Sequence, residues 1–434
     1  PEQIPFDFHY QLSLEYAVGR IYFETVDEYA RYAANVVLSE TGEWHPPARA
    51  VFFGTETEGD PSTKRSAQQL VRPLAERVKA SDVAANWQID TYVGKGQADK
   101  AQLLNLLGGD ETPALLFTAS HGMGFELNDP RLLWHQGALL CQDWEGPASN
   151  RVPQTAYVAA DDITENANLL GTIAFHFACF GAATPKLDNY PKANGHRKQL
   201  APRSFLSALP LKLLSQGALA VIGHSDRAWA TSFIEHSRPQ LGVFQSPLQQ
   251  MMSAMPIGYA TEYIDNRWAA LATELLFKQQ NGGQDASPRR LIRDWSRLTD
   301  ARNYMILGDP AVRLQVSDSA ENPPTHRRRQ PLTLNLSSPQ SPASDANTVS
   351  QVDNTVTTVT NQTGGIDIKT YVADDLEALQ FENGQFTGSP APTLQARTHI
   401  AQDGSLTSVV ASEHNARLWQ IHLDLIKQAQ SRQP

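Results

Sequence analysis

A histidine and a cysteine, each near glycine at the end of an apolar run, are the residues of this chain best suited to chemistry. One run reads Pro113-Ala-Leu-Leu-Phe-Thr-Ala-Ser-His121-Gly122, and the other Gly171-Thr-Ile-Ala-Phe-His-Phe-Ala-Cys179-Phe-Gly181. A thiol attacks as its thiolate, so it needs a base or a positive field beside it. His121 can be that base and can later protonate a leaving amine. Gly122 has no side chain to keep its N–H from a developing oxyanion, and the N–H of Cys179 can share the task. Gly181 lets a substrate approach the backbone just past the nucleophile. Together His121 and Cys179 are the minimum equipment of a cysteine hydrolase.

Each run has the length and apolar continuity of a strand buried on both faces, and functional groups in open α/β sheets collect past the strands' carboxyl ends. If the two strands are neighbours, imidazole and thiol face each other at one sheet edge. The rest of 1–316 supplies such a sheet. Strands are expected at 48–54, 87–93 and 217–223. Helices are expected from a Ser62 cap to about residue 78, at 98–107 and at 204–215, with helical segments filling most of 229–297. This alternation predicts an α/β fold with a mainly parallel sheet covered by helices on both faces. A long insertion, 122–170, separates the two reactive strands.

Other reactive groups carry weaker arguments. Cys141, in Leu139-Leu-Cys-Gln-Asp, has neither glycine nor partner in its context and reads as structural. His176 precedes Cys179 by three positions, which point to opposite faces of a strand, so the pair does not share a metal. Gly223-His-Ser225-Asp-Arg227 follows a strand as a serine nucleophile would, but Arg227 stands where the sharp turn needs a second glycine. A serine hydrolase at Ser225 therefore remains an alternative, as does a catalytically silent scaffold. The intact His-Gly and Ala-Cys segments count against the scaffold.

The ordered set of motifs resembles the gingipain-type (C25-like) branch of the caspase–haemoglobinase peptidases, relatives of separase and CHAT-domain proteases. Val18-Gly-Arg20 with the segment after it, Ser120-His-Gly122, Phe177-Ala-Cys179-Phe-Gly181, Gly217-Ala-Leu-Ala-Val-Ile-Gly-His-Ser-Asp-Arg-Ala-Trp229 and Tyr304-Met-Ile-Leu-Gly-Asp309-Pro-Ala carry it. It covers nearly all of 10–316 and does not reach 317–434. The resemblance implies a caspase-like cysteine endopeptidase with His121 as base and Cys179 as nucleophile. It also implies an acid orienting the histidine, for which Glu56, Glu58 and Asp60 are candidates. Trp229 would wall a pocket with Asp226 as its carboxylate, selecting Arg or Lys at P1 because an unpaired buried charge is costly. The competing reading has Asp226 pairing with Arg227 or capping the helix that follows. No cofactor is expected, and no acidic loop of EF-hand type is present.

From 317 to 354 Pro, Ser, Asn, Thr and Gln dominate, which predicts a linker containing the basic cluster Arg327-Arg-Arg329. Residues 355–434 read as a small α+β module, with strands at 365–373 and 393–410, a turn at Asp403-Gly404 and an amphipathic helix at 415–430 whose apolar face completes a local core, with docking on the protease or on a partner as the alternative. The basic loop Lys192-Ala-Asn-Gly-His-Arg197-Lys198 and the linker cluster read as solvated loops or, alternatively, as sites where a protease of basic specificity would process itself.

The chain has 434 residues, 41% of them hydrophobic, and a net charge of −10. That charge, without a basic stripe, argues against nucleic acid as a partner and leaves protein or peptide substrates. No apolar run approaches the roughly 18 residues that span a membrane. The first residues lack a signal-peptide pattern, although a leader already removed stays open. Only two cysteines are present, and free thiols favour the cytoplasm.

Overall fold

The computed structural model describes residues 4–317, apart from 43–44, 150, 191–195, 236–237 and 281–287, and beyond them the strands between Thr348 and Val410. The chain divides into two units, Pro1–Gln330 and Pro331–Pro434.

The first unit is built on a seven-stranded sheet. Its strands in chain order are β1 (Gly19–Arg20), β2 (Arg49–Gly54), β3 (Gln88–Val93), β4 (Leu115–Ala119), β5 (Ile173–Phe177), β6 (Ala220–His224) and β7 (Tyr304–Gly308). They lie side by side as β1-β7-β6-β5-β4-β2-β3. From β6 to β3 all neighbours are parallel, while β7 runs antiparallel to β6 and parallel to β1. The fold is thus α/β with a mainly parallel sheet.

The near-continuous apolar strands are buried on both faces, and alternation decides which residue serves which side. Phe52, Phe117, Phe175 and Ile222 share one face with Leu70, Leu74, Phe244 and Ile264 from the covering helices. There Phe117 packs against Phe52, Phe175 and Phe244 with ring centroids 5.5–5.9 Å apart. Val51, Phe53, Leu116, Ala174 and Val221 face the other way, onto Phe6, Tyr32, Leu103 and Leu213.

Three local expectations are corrected. The helix after β2 starts at Pro61, not after a Ser62 cap. Asp60 is its N-cap and accepts the N–H groups of Ser62 and Thr63, and proline takes the first turn, where its missing donor costs nothing. The helix then passes through a π turn at Ala67–Val71 and ends at Lys79. Helices fill most of 229–297 as expected, but its first part holds a 3₁₀ turn, Ala230–Ser232, and a hairpin of Ile234–Glu235 with Arg238–Pro239. The hydroxyls of Thr231 and Ser232 bind a carboxylate on another helix, and Pro239 has no N–H to give a helix. The helix expected at 204–215 is shorter, Ala208–Ser215, because Phe205–Leu206 pairs with Ala183–Thr184.

In the second unit β8 (Thr348–Val352), β9 (Thr355–Gln362), β10 (Gly365–Val372), β11 (Thr393–Ala401) and β12 (Leu406–Val410) form an antiparallel sheet in chain order. β8 falls inside the stretch expected to be linker. Its β-branched residues pair in register with the Thr/Val-rich β9, which outweighs the polar composition around them. The helix expected at 415–430, the turn at Asp403-Gly404 and the cluster at 327–329 lie outside the described residues.

Candidate active site

β4 and β5 are adjacent and parallel, with Thr118 opposite His176 and Ala119 opposite Phe177. His121 and Cys179 each follow the last paired residue of their strand by two positions, so the register alone brings them to the same level at the carboxyl edge. Their turns are in tight contact. A Cβ built on Gly122 would lie 1.7 Å from the carbonyl oxygen of Cys179, so any other residue at 122 would force the turns apart. Gly122 forms an isolated bridge with Leu139 through bonds made by its neighbours, Met123 N–H to Ala138 O at 2.8 Å and Leu140 N–H to His121 O at 2.9 Å. In that pattern the N–H of Gly122 points away from Leu139 and toward the Cys179 side. Among the described residues, the N–H groups of Gly122 and Cys179 have no acceptor.

The imidazole of His121 is 38% exposed, and its Nε2 donates to Asp60 Oδ2 at 2.7 Å. That bond fixes the tautomer and leaves the lone pair on Nδ1, which has no partner among the described residues. The edge of Trp144, from the insertion, packs on the imidazole with centroids 5.9 Å apart. Burial alone would push the Asp60 carboxyl up, but the nearby His121 and the bonds from His121, Ser62 and Thr63 hold it below the usual carboxylate range. Of the three acids considered, Asp60 is therefore the one on the histidine. Glu56 is taken by Gln68 at 2.8 Å and Arg72 at 3.1 Å, and Glu58 is exposed.

Cys179 sits on a sharp turn. Phe180 has φ 56°, an unusual left-handed conformation for a bulky residue, held by its surroundings. Its N–H donates to the Asp226 carbonyl at 2.7 Å, and its carbonyl accepts Ser207 Oγ at 2.5 Å. The thiol donates to the Ala228 carbonyl at 3.8 Å, and burial pushes its pKa up, so at rest it is neutral.

Asp226 is 1% exposed. Its carboxylate accepts the Arg227 N–H at 2.7 Å and Asn189 Nδ2 at 2.6 Å, and burial raises its pKa. It caps no helix. The Arg227 guanidinium is drawn away to Asp188, with two bonds of 2.8 Å, and stays 3.8 Å from Asp226. Trp229 is partly exposed and meets Tyr190 edge-on, with centroids 5.7 Å apart. Arg197, in the loop after the nucleophile, donates to Asn189 Oδ1 at 3.0 Å. Sequence reasoning missed Asp188, Asn189 and the Ala228 carbonyl. Nothing local marks the first two, and a carbonyl leaves no trace in a sequence.

Ser225 is buried, with its hydroxyl on the Tyr10 hydroxyl and on the Asn303 carbonyl at 3.1 Å. It has no base and no access to substrate, so the serine reading fails. Cys141 is buried and pushed far up by that burial, as a structural thiol. Both cysteines are free. Among the described residues no helix is long and apolar enough to cross a membrane, and no three His, Cys, Asp or Glu side chains group to hold a metal.

The model of peptidase family C25 matches residues 6–315. No curated protein matches the chain.

Proposed function

The chain belongs to peptidase family C25 and is a cysteine endopeptidase, and from that premise we propose that His121 and Cys179 are its catalytic dyad. The observation that carries this reading is the Asp60–His121 bond, which occupies Nε2 and leaves Nδ1 free on a turn that touches the Cys179 turn through Gly122. His121 Nδ1 takes the Sγ proton once the thiol leaves the Ala228 carbonyl, and the thiolate attacks the scissile carbonyl carbon. The oxyanion is received by the N–H groups of Gly122 and Cys179. As the C–N bond breaks, His121 returns the proton to the departing amine, leaving a thioester. Water, deprotonated by the same imidazole, then releases the acid and restores the thiol.

The substrate is a protein, and we read its P1 residue as Arg or Lys. Asp226 is a desolvated carboxylate held by the Arg227 N–H and charge and by a neutral amide, Asn189, and a guanidinium or ammonium in the amide's place makes a stronger bond than the amide does. Trp229 supplies an apolar wall for the stem. The same geometry supports self-processing. Exposed Arg197 already lies one amide away from Asp226 through Asn189, which favours cleavage after Arg197. We assign catalysis to 1–316 and treat the stretch between it and the strand Thr348–Val352 as connector to a second unit. Two free thiols favour a cytoplasmic setting.

The test compares wild type with Cys179→Ala on fluorogenic peptides carrying Arg, Lys, Asp or Leu at P1, with the intact chain followed on a denaturing gel. We expect cleavage after Arg and Lys and fragments ending at Arg197, both absent in the variant. Activity retained by Cys179→Ala removes the dyad. Cys179-dependent cleavage after Asp or Leu keeps the dyad and removes the Asp226 pocket.

A further inference from the structure

The loop that flanks the thiol is held from below by a carboxylate that plays no part in the chemistry above. Asp300, on the helix Pro288–Arg302, is 1% exposed. One oxygen accepts the Trp229 N–H at 2.9 Å, and the other accepts Ser232 Oγ at 2.5 Å and Thr231 Oγ1 at 3.3 Å. Arg267, from the helix Ile257–Gln280, donates to the carbonyls of Ser232 at 2.9 Å and Thr231 at 3.0 Å. The hydroxyl of Tyr304 pairs with Ser232 Oγ at 2.9 Å. The loop is thus gripped at its donors by Asp300 and at its acceptors by Arg267.

One of these bonds reaches the nucleophile. The Trp229 N–H and the Ala228 carbonyl are the two ends of one peptide, which is planar and trans, so fixing the N–H on one side aims the oxygen to the other. That oxygen accepts the Cys179 thiol at 3.8 Å. We propose that Asp300 is a positioning residue of the active site. Through the rigid 228–229 peptide it aims the Ala228 carbonyl that parks the thiol, and it fixes the root of Trp229. This rests on Cys179 as nucleophile, which Cys179→Ala tests separately.

The charges around this unit set how its removal reads out. Asp300 is faced by Arg267, by Tyr304 and by His224, whose Nε2 lies 3.8 Å away while its Nδ1 donates to the Arg227 carbonyl at 3.2 Å. Cys179 is faced by Asp226, Arg227 and Asp300. Above pH 7 the carboxylate opposes thiolate formation, and that effect falls away when Asp300 is replaced by a neutral side chain.

The experiment measures the pH dependence of iodoacetamide alkylation of Cys179, with kcat and KM on a basic-P1 peptide, for wild type, Asp300→Asn and Asp300→Ala. In both variants the alkylation midpoint should fall by about half a pH unit or more. Asp300→Ala should also raise KM by about tenfold, more than it changes kcat, as the Trp229 wall loosens. The asparagine, which can still accept the Trp229 N–H, should bring KM back to within about twofold of wild type. If the alanine variant does not fold, Asp300→Ser, whose shorter side chain withdraws the acceptor from the Trp229 N–H, is read in its place. A wild-type KM in Asp300→Ala, no recovery of KM in Asp300→Asn, or a midpoint unmoved in both variants overturns the proposal.

Discussion

At the residue scale the imidazole depends on what holds its far side. Asp60 binds the Nε2–H of His121 and is itself tied to two N–H groups at the start of a helix, so the base is oriented by a rigid element rather than by a loop side chain. Replacing Asp60 with alanine frees the ring to turn and to exchange tautomers. Its kcat should fall by about 10²-fold with KM nearly unchanged, and asparagine, which can still accept the Nε2–H, should recover about tenfold of that loss. Steady-state kinetics on a basic-P1 peptide checks this, and equal kcat in Asp60→Ala and wild type would remove Asp60 from the machinery. The sequence narrowed the acid to three residues and stopped there. The choice depends on the path of the loop after β2, which Asp60-Pro61 signals only to a reader who takes the pair as a cap followed by a first-turn proline. Asp300 was less legible still. In Arg-Leu-Thr-Asp-Ala-Arg it reads as one more polar residue of an amphipathic helix, and its partners lie about 70 positions earlier in the chain.

At the element scale the site is made by two strands in register. Continuous apolar runs made β4, β5 and β6 readable, whereas the two-residue β1, the π turn and the 230–239 segment have no period to read. The registry matters because the turns after β4 and β5 touch through backbone, with Gly122 against the Cys179 carbonyl. A methyl group at 122 must push the turns apart by an ångström or more. Gly122→Ala should lose about 10²-fold in kcat/KM, the usual cost of such a displacement between reacting groups, while iodoacetamide still labels Cys179. Wild-type kinetics in that variant would mean that the turns are farther apart than the structure has them.

At the scale of the whole molecule, buried titrating groups divide into two opposed sets. Burial pushes His9 and His224 down to about 3 and His176 down to about 4, so they stay neutral in the fold. The unfolded chain protonates them below 6.5, and stability is lost as the pH falls through that value. Burial pushes Asp265 and Asp300 up to about 7, so the fold holds protons that the unfolded chain has released, and stability is gained as the pH falls from 7 toward 4. Among these most strongly shifted groups, three imidazoles against two carboxyls leave about one proton of net uptake on unfolding between pH 5 and 6, or about 1.4 kcal/mol per pH unit. Asp265→Asn removes one opposing carboxyl and should roughly double that slope in denaturant unfolding measured across the interval. Parallel slopes for variant and wild type would show that Asp265 ionises as an exposed acid does. The strand order carries one more consequence. A break after Arg197 would leave His121 and Cys179 on one piece and the 226–232 loop on the other, yet β6 would remain laddered between β5 and β7. The two pieces would migrate as one particle in native buffer and part only in denaturant. Expressed as separate polypeptides, they form a split enzyme whose activity returns when the halves find each other.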